Sequence, residues 1–196
     1  LPVGGSLDWT IALPSGSTFR RGNAIGLGTT TQFAPYTVTG THTVIFTTSA
    51  ATTQTTFKVG FAAGAPLVVD GAAANPAIAN PGDGARLTFA GTAGQNLGLG
   101  IAGLVLGPAS ITSANMAVYK PDAQLLAAAN CYVDGSQCGV NLPNLPVTGT
   151  YSIIVQPASG ATGTLQVWLS RDAAGTLASG TPFSLTLARP GQNARL

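Results

Sequence analysis

Thr148-Gly149-Thr150-Tyr151-Ser152-Ile153-Ile154-Val155 decides how this chain is read, because Thr39-Gly40-Thr41-His42-Thr43-Val44-Ile45-Phe46 is a similar segment 109 residues earlier. Pro81-Gly82-Asp83-Gly84-Ala85-Arg86-Leu87 returns as Pro190-Gly191-Gln192-Asn193-Ala194-Arg195-Leu196 at the same offset of 109. Two separated motifs that share one offset mark an internal repeat, and a repeat fixes the unit of folding. Phe57-Lys58-Val59-Gly60-Phe61 matches Leu165-Gln166-Val167-Trp168-Leu169 at 108 with its alternation kept. Trp9-Thr10-Ile11-Ala12-Leu13-Pro14-Ser15-Gly16 echoes Met116-Ala117-Val118-Tyr119-Lys120-Pro121-Asp122-Ala123 at 107. The repeated segments are short, β-branched or alternating, and therefore strand-like. Pro14-Ser15-Gly16, Pro121-Asp122, Asp134-Gly135 and Ala158-Ser159-Gly160 punctuate them as turns. No clean helical stripe occurs anywhere, and units of about 100 residues with closely spaced strands predict antiparallel sandwiches.

The phase of the repeat sets the domain organisation. Leu1 falls in register with Pro108 to Ser110, so residues 88–109 have no counterpart in the first copy. The expected all-β chain has a first repeat at 1–65 lacking its opening strands, a linker at 66–80 and a second repeat at 81–172. Residues 173–196 are expected as a further linker and the start of a third repeat. In that tail Phe183, Leu185, Leu187 and Leu196 are candidate strand-donor residues, suited to fill the incomplete first repeat of a neighbouring copy. Leu1 stands where an initiator Met would, so the chain is expected to be a processed or excised piece of something longer.

Composition removes most chemistry. Only 7% of the 196 residues are charged, where about 25% is usual. There is no Glu, His42 is the single imidazole, and six Asp are scattered, so an acid–base or metal cluster is hard to build. No enzymatic activity, metal or cofactor is expected. The net charge of +2 forms no basic stripe, which argues against nucleic acid as a partner. Arg86 to Lys120 encloses 33 uncharged residues centred on Leu97 to Gly107, but this apolar centre of eleven is too short for a bilayer core of about 30 Å. It reads as buried strand.

Cys131 and Cys138 flank a turn-rich stretch and are expected to form a disulfide across a hairpin centred on Asp134-Gly135. That bridge implies an extracellular or cell-surface location. The Thr29-Thr30-Thr31 and Thr52-Thr53-Gln54-Thr55-Thr56 clusters suit either O-linked sugar or plain strand propensity.

Each candidate site has a plainer reading. His42 aligns with Tyr151, a ring with a polar edge, and so reads as a packing position rather than a general base. Asp122 and Asp134 could be paired carboxylates for glycoside hydrolysis, yet both sit in turns that favour Asp for backbone reasons. Trp9, Trp168, Tyr119 and Tyr132 could form an aromatic sugar platform, with Trp9 and Trp168 the residues to test. Gly98-Leu99-Gly100-Ile101-Ala102-Gly103 has dinucleotide-fingerprint spacing, but no helix is expected after it.

A strand running into Pro-x-Gly or Pro-Asp, a later Thr-Gly-Thr-Tyr strand, then Thr-Gly before a last alternating strand resembles the bacterial pre-peptidase C-terminal domain family. Ala85-Arg86-Leu87-Thr88-Phe89-Ala90-Gly91-Thr92-Ala93-Gly94-Gln95-Asn96-Leu97 resembles that family's first two strands and the turn between them. The likeness covers residues 80–170 well and 7–62 in part. It implies jelly-roll-like β-sandwich repeats, secreted and strung along larger proteins. Calcium binding is not carried over, since no acidic cluster matches. Two function classes follow: a non-enzymatic extracellular structural module of a stalk, adhesin or fibre whose partners are copies of itself, or a polysaccharide-binding accessory module of a secreted hydrolase.

Overall fold

The structure, a computed structural model, describes residues 7–24, 37–48, 64–135 and 138–196. The Thr29-Thr30-Thr31 and Thr52–Thr56 clusters, Phe57-Lys58-Val59-Gly60-Phe61 and Gln137 lie outside them. Residues 7–24 and 37–48 belong to one compact unit, and 64–135 with 138–196 to another. No described helix is long and apolar enough to cross a membrane.

In the first unit, β1 (Leu7–Ala12), β2 (Thr18–Ala24) and β3 (Thr43–Thr48) form an antiparallel sheet of order β2-β1-β3. Pro14-Ser15-Gly16 makes the β1–β2 turn, closed by Leu13 N–H donating to the Ser17 carbonyl and Gly16 N–H to that of Leu13. Gly16 takes φ +83°, a value that costs glycine little. Leu7 and Ile11 are buried, whereas every residue of β3 is exposed.

The second unit contains β4 (Ala65–Pro66), β5 (Ala77–Ile78), β6 (Ala85–Gly91), β7 (Leu97–Gly107), β8 (Ser113–Tyr119) and β9 (Leu125–Tyr132). It continues with β10 (Gly139–Leu142), β11 (Gly149–Pro157), β12 (Thr162–Arg171), β13 (Ala173–Ala174) and β14 (Ala194–Arg195). A five-stranded sheet, β4-β6-β11-β8-β9, faces a four-stranded one, β10-β7-β12-β5. Only β8–β9 is a hairpin within one sheet; each other connection from β4 to β12 passes between the sheets, as in a jelly roll. Period-2 alternation puts Leu87, Phe89, Met116, Val118, Ile153 and Val155 of one sheet against Leu97, Leu99, Ile101, Leu165, Val167 and Leu169 of the other. Each buried aliphatic side chain contributes ~1.5–3 kcal/mol, so this interface holds the unit together. Tyr151 is fully buried and stacks on Phe89 at 5.0 Å, while its hydroxyl donates to the Val147 carbonyl at 2.6 Å. Residues 66–80, expected as a linker, supply β5 and the buried Leu67 and Ile78.

The two units pair their strands alike. Ala12 faces Thr18 and Thr43, and Tyr119 faces Leu125 and Ser152. A register shift falls between Ile11 and Ala12 in one unit and between Val118 and Tyr119 in the other. Lys120 N–H donates to the Gln124 carbonyl and Ala123 N–H to that of Lys120, repeating the Leu13–Ser17 turn bond for bond. A Cβ on Gly40 would lie 2.7 Å from the Pro14 ring, and one on Gly149 2.7 Å from the Pro121 ring.

Cys131 and Cys138 are joined by a disulfide with Cα atoms 4.4 Å apart. The expected hairpin is not there. β9 belongs to the five-stranded sheet and the strand after Cys138, β10, to the four-stranded one, so the bridge ties the two sheets at one edge of the sandwich. Gly135 at φ +81° turns the chain between them, with its N–H on the Tyr132 carbonyl.

Candidate functional site

The residues that suggested catalysis make local contacts. His42 Nδ1 lies 3.1 Å from the Gly40 carbonyl, a local contact at the start of its strand. Asp122 Oδ1 accepts the Gln124 N–H at 3.0 Å and Oδ2 pairs with Lys120 Nζ at 3.1 Å. The Gln124 N–H first, then Lys120, hold the exposed Asp122 carboxyl below its ordinary pKa. Asp134 lies beyond the opposite end of β9, roughly 25 Å away at ~3.3 Å per residue, too far for a glycosidase pair. Among the described residues, no three His, Cys, Asp or Glu are grouped so as to hold a metal ion. Trp9 and Trp168 are both half-buried, Trp9 with its ring over Gly22 in the first unit and Trp168 opposite Gly100 in the second. Gly98 to Gly103 runs through β7 with no helix after it, and Gly103, at φ +57°, sits where the β7–β12 register shifts.

Two features stand out instead. The first is the tail, 173–196. Alternation turns Leu97, Leu99 and Ile101 into the core, leaving Gly98 and Gly100 on the outer face of β7. The Pro190-Gly191 turn lies flat on those glycines: a Cβ at Gly98 would meet the Gly191 carbonyl, and one at Gly100 the Pro190 carbonyl. Only glycine admits such main-chain contact. Asn193 Nδ2 donates to Asn141 Oδ1 at 3.1 Å, and Arg195 donates to Asn96 Oδ1 at 2.7 Å and pairs with Asp172 at 3.3 Å. Arg189 pairs with Asp70, whose Oδ1 also accepts the Arg171 N–H. Ser170, opposite Gly98, is fully buried with a hydroxyl that finds no hydrogen-bond partner.

Within the tail β13 and β14 pair in parallel, as β4 and β6 do at the entrance to the sandwich. Gly191 at φ +69° and Gly82 at φ +85° make like turns, with Gln192 N–H on the Arg189 carbonyl and Asp83 N–H on that of Asn80. Of the candidate donor residues, Phe183 and Leu196 pack beside Gly175, and all four remain exposed: Phe183 41%, Leu185 39%, Leu187 51% and Leu196 52%.

The second feature is β3, the outermost of the described strands of its sheet. Val44, Ile45 and Phe46 are 36, 50 and 37% exposed, while Ile153, Ile154 and Val155 at the matching pairings of β11 are 0, 7 and 0%. The alternate glycines of β7 were legible as tight packing, but Asp70, Asn96, Asn141 and Asp172 as anchors of the tail carried no sequence signal.

Geometry thus defines a two-sheet β-sandwich with a docked tail and, separately, a unit whose described strands form one sheet. No protein-family model and no curated protein matches the chain. Among solved structures it is similar to the pre-peptidase C-terminal domain of a collagenase from Bacillus anthracis, at 11% identity and TM-score 0.45, over 57% of this chain and 99% of that one. It is also similar to PliG of Aeromonas hydrophila, a periplasmic inhibitor of g-type lysozyme, at 22% identity and TM-score 0.38, over 54% of this chain and 95% of that one.

Proposed function

We propose that the chain is a non-enzymatic, extracellular structural module of a repeat-built stalk, adhesin or fibre, in which 109-residue units follow one another head to tail. One observation carries this reading: β2-β1-β3 is paired, bulged and turned as β9-β8-β11 is. Homologous pairing of that detail is what a repeated unit produces. The tail supports it by repeating the entrance to the second unit, and the disulfide supports an oxidising location. Low charge, abundant Thr and Gly, and the separation of Asp122 from Asp134 along β9 suit a scaffold rather than a catalyst.

The test is negative-stain microscopy of the material from its native source, beside a polysaccharide pull-down of the purified chain. Rods or filaments, with no retention on polysaccharide, are expected. Isolated particles, together with retention that Trp9→Ala or Trp168→Ala abolishes, would overturn the reading in favour of a carbohydrate-binding module.

A further inference from the structure

Going beyond that reading, we infer that two copies of this chain pair through β9, edge to edge and antiparallel about a two-fold axis, with Ala129 of one copy opposite Ala129 of the other. Among the described residues β9 ends the five-stranded sheet and is paired on one side only, by β8. It is also the longest edge of the sandwich, with eight residues against four in β10 and two each in β4 and β5. The groups it offers can be named. Val133 N–H donates to the Thr112 carbonyl, so alternation turns the main chain of Cys131 and Ala129 toward β8 and that of Ala128 and Asn130 outward. Ala128 and Asn130 are exposed, and the disulfide at Cys131 fixes the strand from its end.

Charge selects the occupant. Leu125-Leu126-Ala127-Ala128-Ala129-Asn130-Cys131-Tyr132 carries no charge and no Pro, the devices that ordinarily guard an exposed edge. β2, paired in the first unit as β9 is in the second, carries Arg20 and Arg21, both exposed, where β9 has Ala127 and Ala128. A neutral edge of small residues meets its own copy without setting like charges side by side, which two copies of β2 could not do. The register follows from the outward groups. With Ala129 on the axis, Ala128 and Asn130 of one copy face Asn130 and Ala128 of the other, and the N–H and C=O of all four residues are paired. The same axis brings Leu125, 57% exposed, beside Val133 of the second copy, 42% exposed, at either end. A two-fold contact of this kind closes at two chains, and the two copies of β4-β6-β11-β8-β9 become one sheet of about ten strands.

The experiment follows single amides of the full chain by hydrogen exchange at rising protein concentration, beside sedimentation velocity. Ala128 and Asn130 are expected to exchange at least ~10-fold more slowly in concentrated than in dilute protein, as a dimer and no larger species forms. Ala129 and Cys131, bonded to β8 throughout, should not change. Ala128→Pro removes only an outward N–H, which an edge strand tolerates, and Ala128→Lys sets a charge where β2 has Arg21. Both variants should stay monomeric with the amides of β11 still protected; should the proline variant lose that protection, the lysine variant decides. A parent chain that is monomeric at every concentration overturns the inference. So does a dimer whose Ala128 and Asn130 amides exchange freely, an open polymer, or an Ala128→Lys chain that still dimerises. Were rods still seen in the native material, the repeat module would stand and only the β9 pairing would fall.

Discussion

Replacing Gly100 by Ala is expected to release the tail while leaving the sandwich intact. The new methyl group would point away from the core into the Pro190 carbonyl and the Gly191 nitrogen, and main chain cannot move aside as a flexible side chain can. Overpacking of this kind costs ~1–3 kcal/mol. Holding the 189–196 end of the tail against β13 and β7 are the Ala173 N–H on the Asn193 carbonyl, the Gly175 N–H on that of Arg195, and the side chains of Gln192, Asn193 and Arg195. At about 0.5–1.5 kcal/mol each these bonds total a few kcal/mol. Docking is therefore shallow enough for one methyl group to matter. Hydrogen exchange reads the outcome: the Ala173 and Gly175 amides should exchange about 5–150-fold faster, the conversion of ~1–3 kcal/mol. Amides of β11, on the other sheet, should keep their protection. Unchanged exchange at Ala173 and Gly175, or equal acceleration in β11, would refute the reasoning.

Ala123 holds φ +63° at the turn position that Gly16 occupies in the first unit, so Ala123→Gly should stabilise the second unit by ~0.5–1 kcal/mol in denaturant melts, the relief of left-handed strain exceeding the added chain entropy. Asp122 titrates below its ordinary value of 3.8, so the stability it lends is present at neutral pH and is lost as pH falls below that value; Asp122→Asn, which keeps the bond from Gln124 N–H, should flatten the acid limb of the stability profile. Removing the bridge with Cys131→Ala and Cys138→Ala together should cost about 2 kcal/mol by equilibrium unfolding, with both sheets retained by circular dichroism.

What the sequence disclosed, and what it hid, follows from the range of each signal. The strand around Thr148 to Val155 and its partner around Thr39 to Phe46 were legible because β-branched runs and a shared offset are local facts. The disulfide was legible as a pair but not as a link between sheets, because a sequence separation of seven between cysteines says nothing about which sheet each flanking strand joins. Residues 66–80 read as linker because Ala, Gly and Pro dominate them; Leu67 and Ile78 are too few to set up a period, yet each reaches the core. The alternating glycines of β7 read as buried strand. That Pro190-Gly191, some ninety residues on, lies against them depends on tertiary geometry that no local pattern encodes.

Asp70 has a mechanical consequence. It accepts the Arg171 N–H at 3.0 Å and pairs with the Arg171 and Arg189 guanidinium groups, so the chain enters the second unit beside the point where it leaves. Tension along the chain first loads the short β4–β6 pair and then this clasp, and only past both does it reach the body of the sandwich. Ala74 and Val167, then β5 and β12, would part next in zipper fashion, one rung at a time, since antiparallel neighbours pulled at adjacent ends peel rather than shear. The unit is built to yield a little at its neck while its body stays folded.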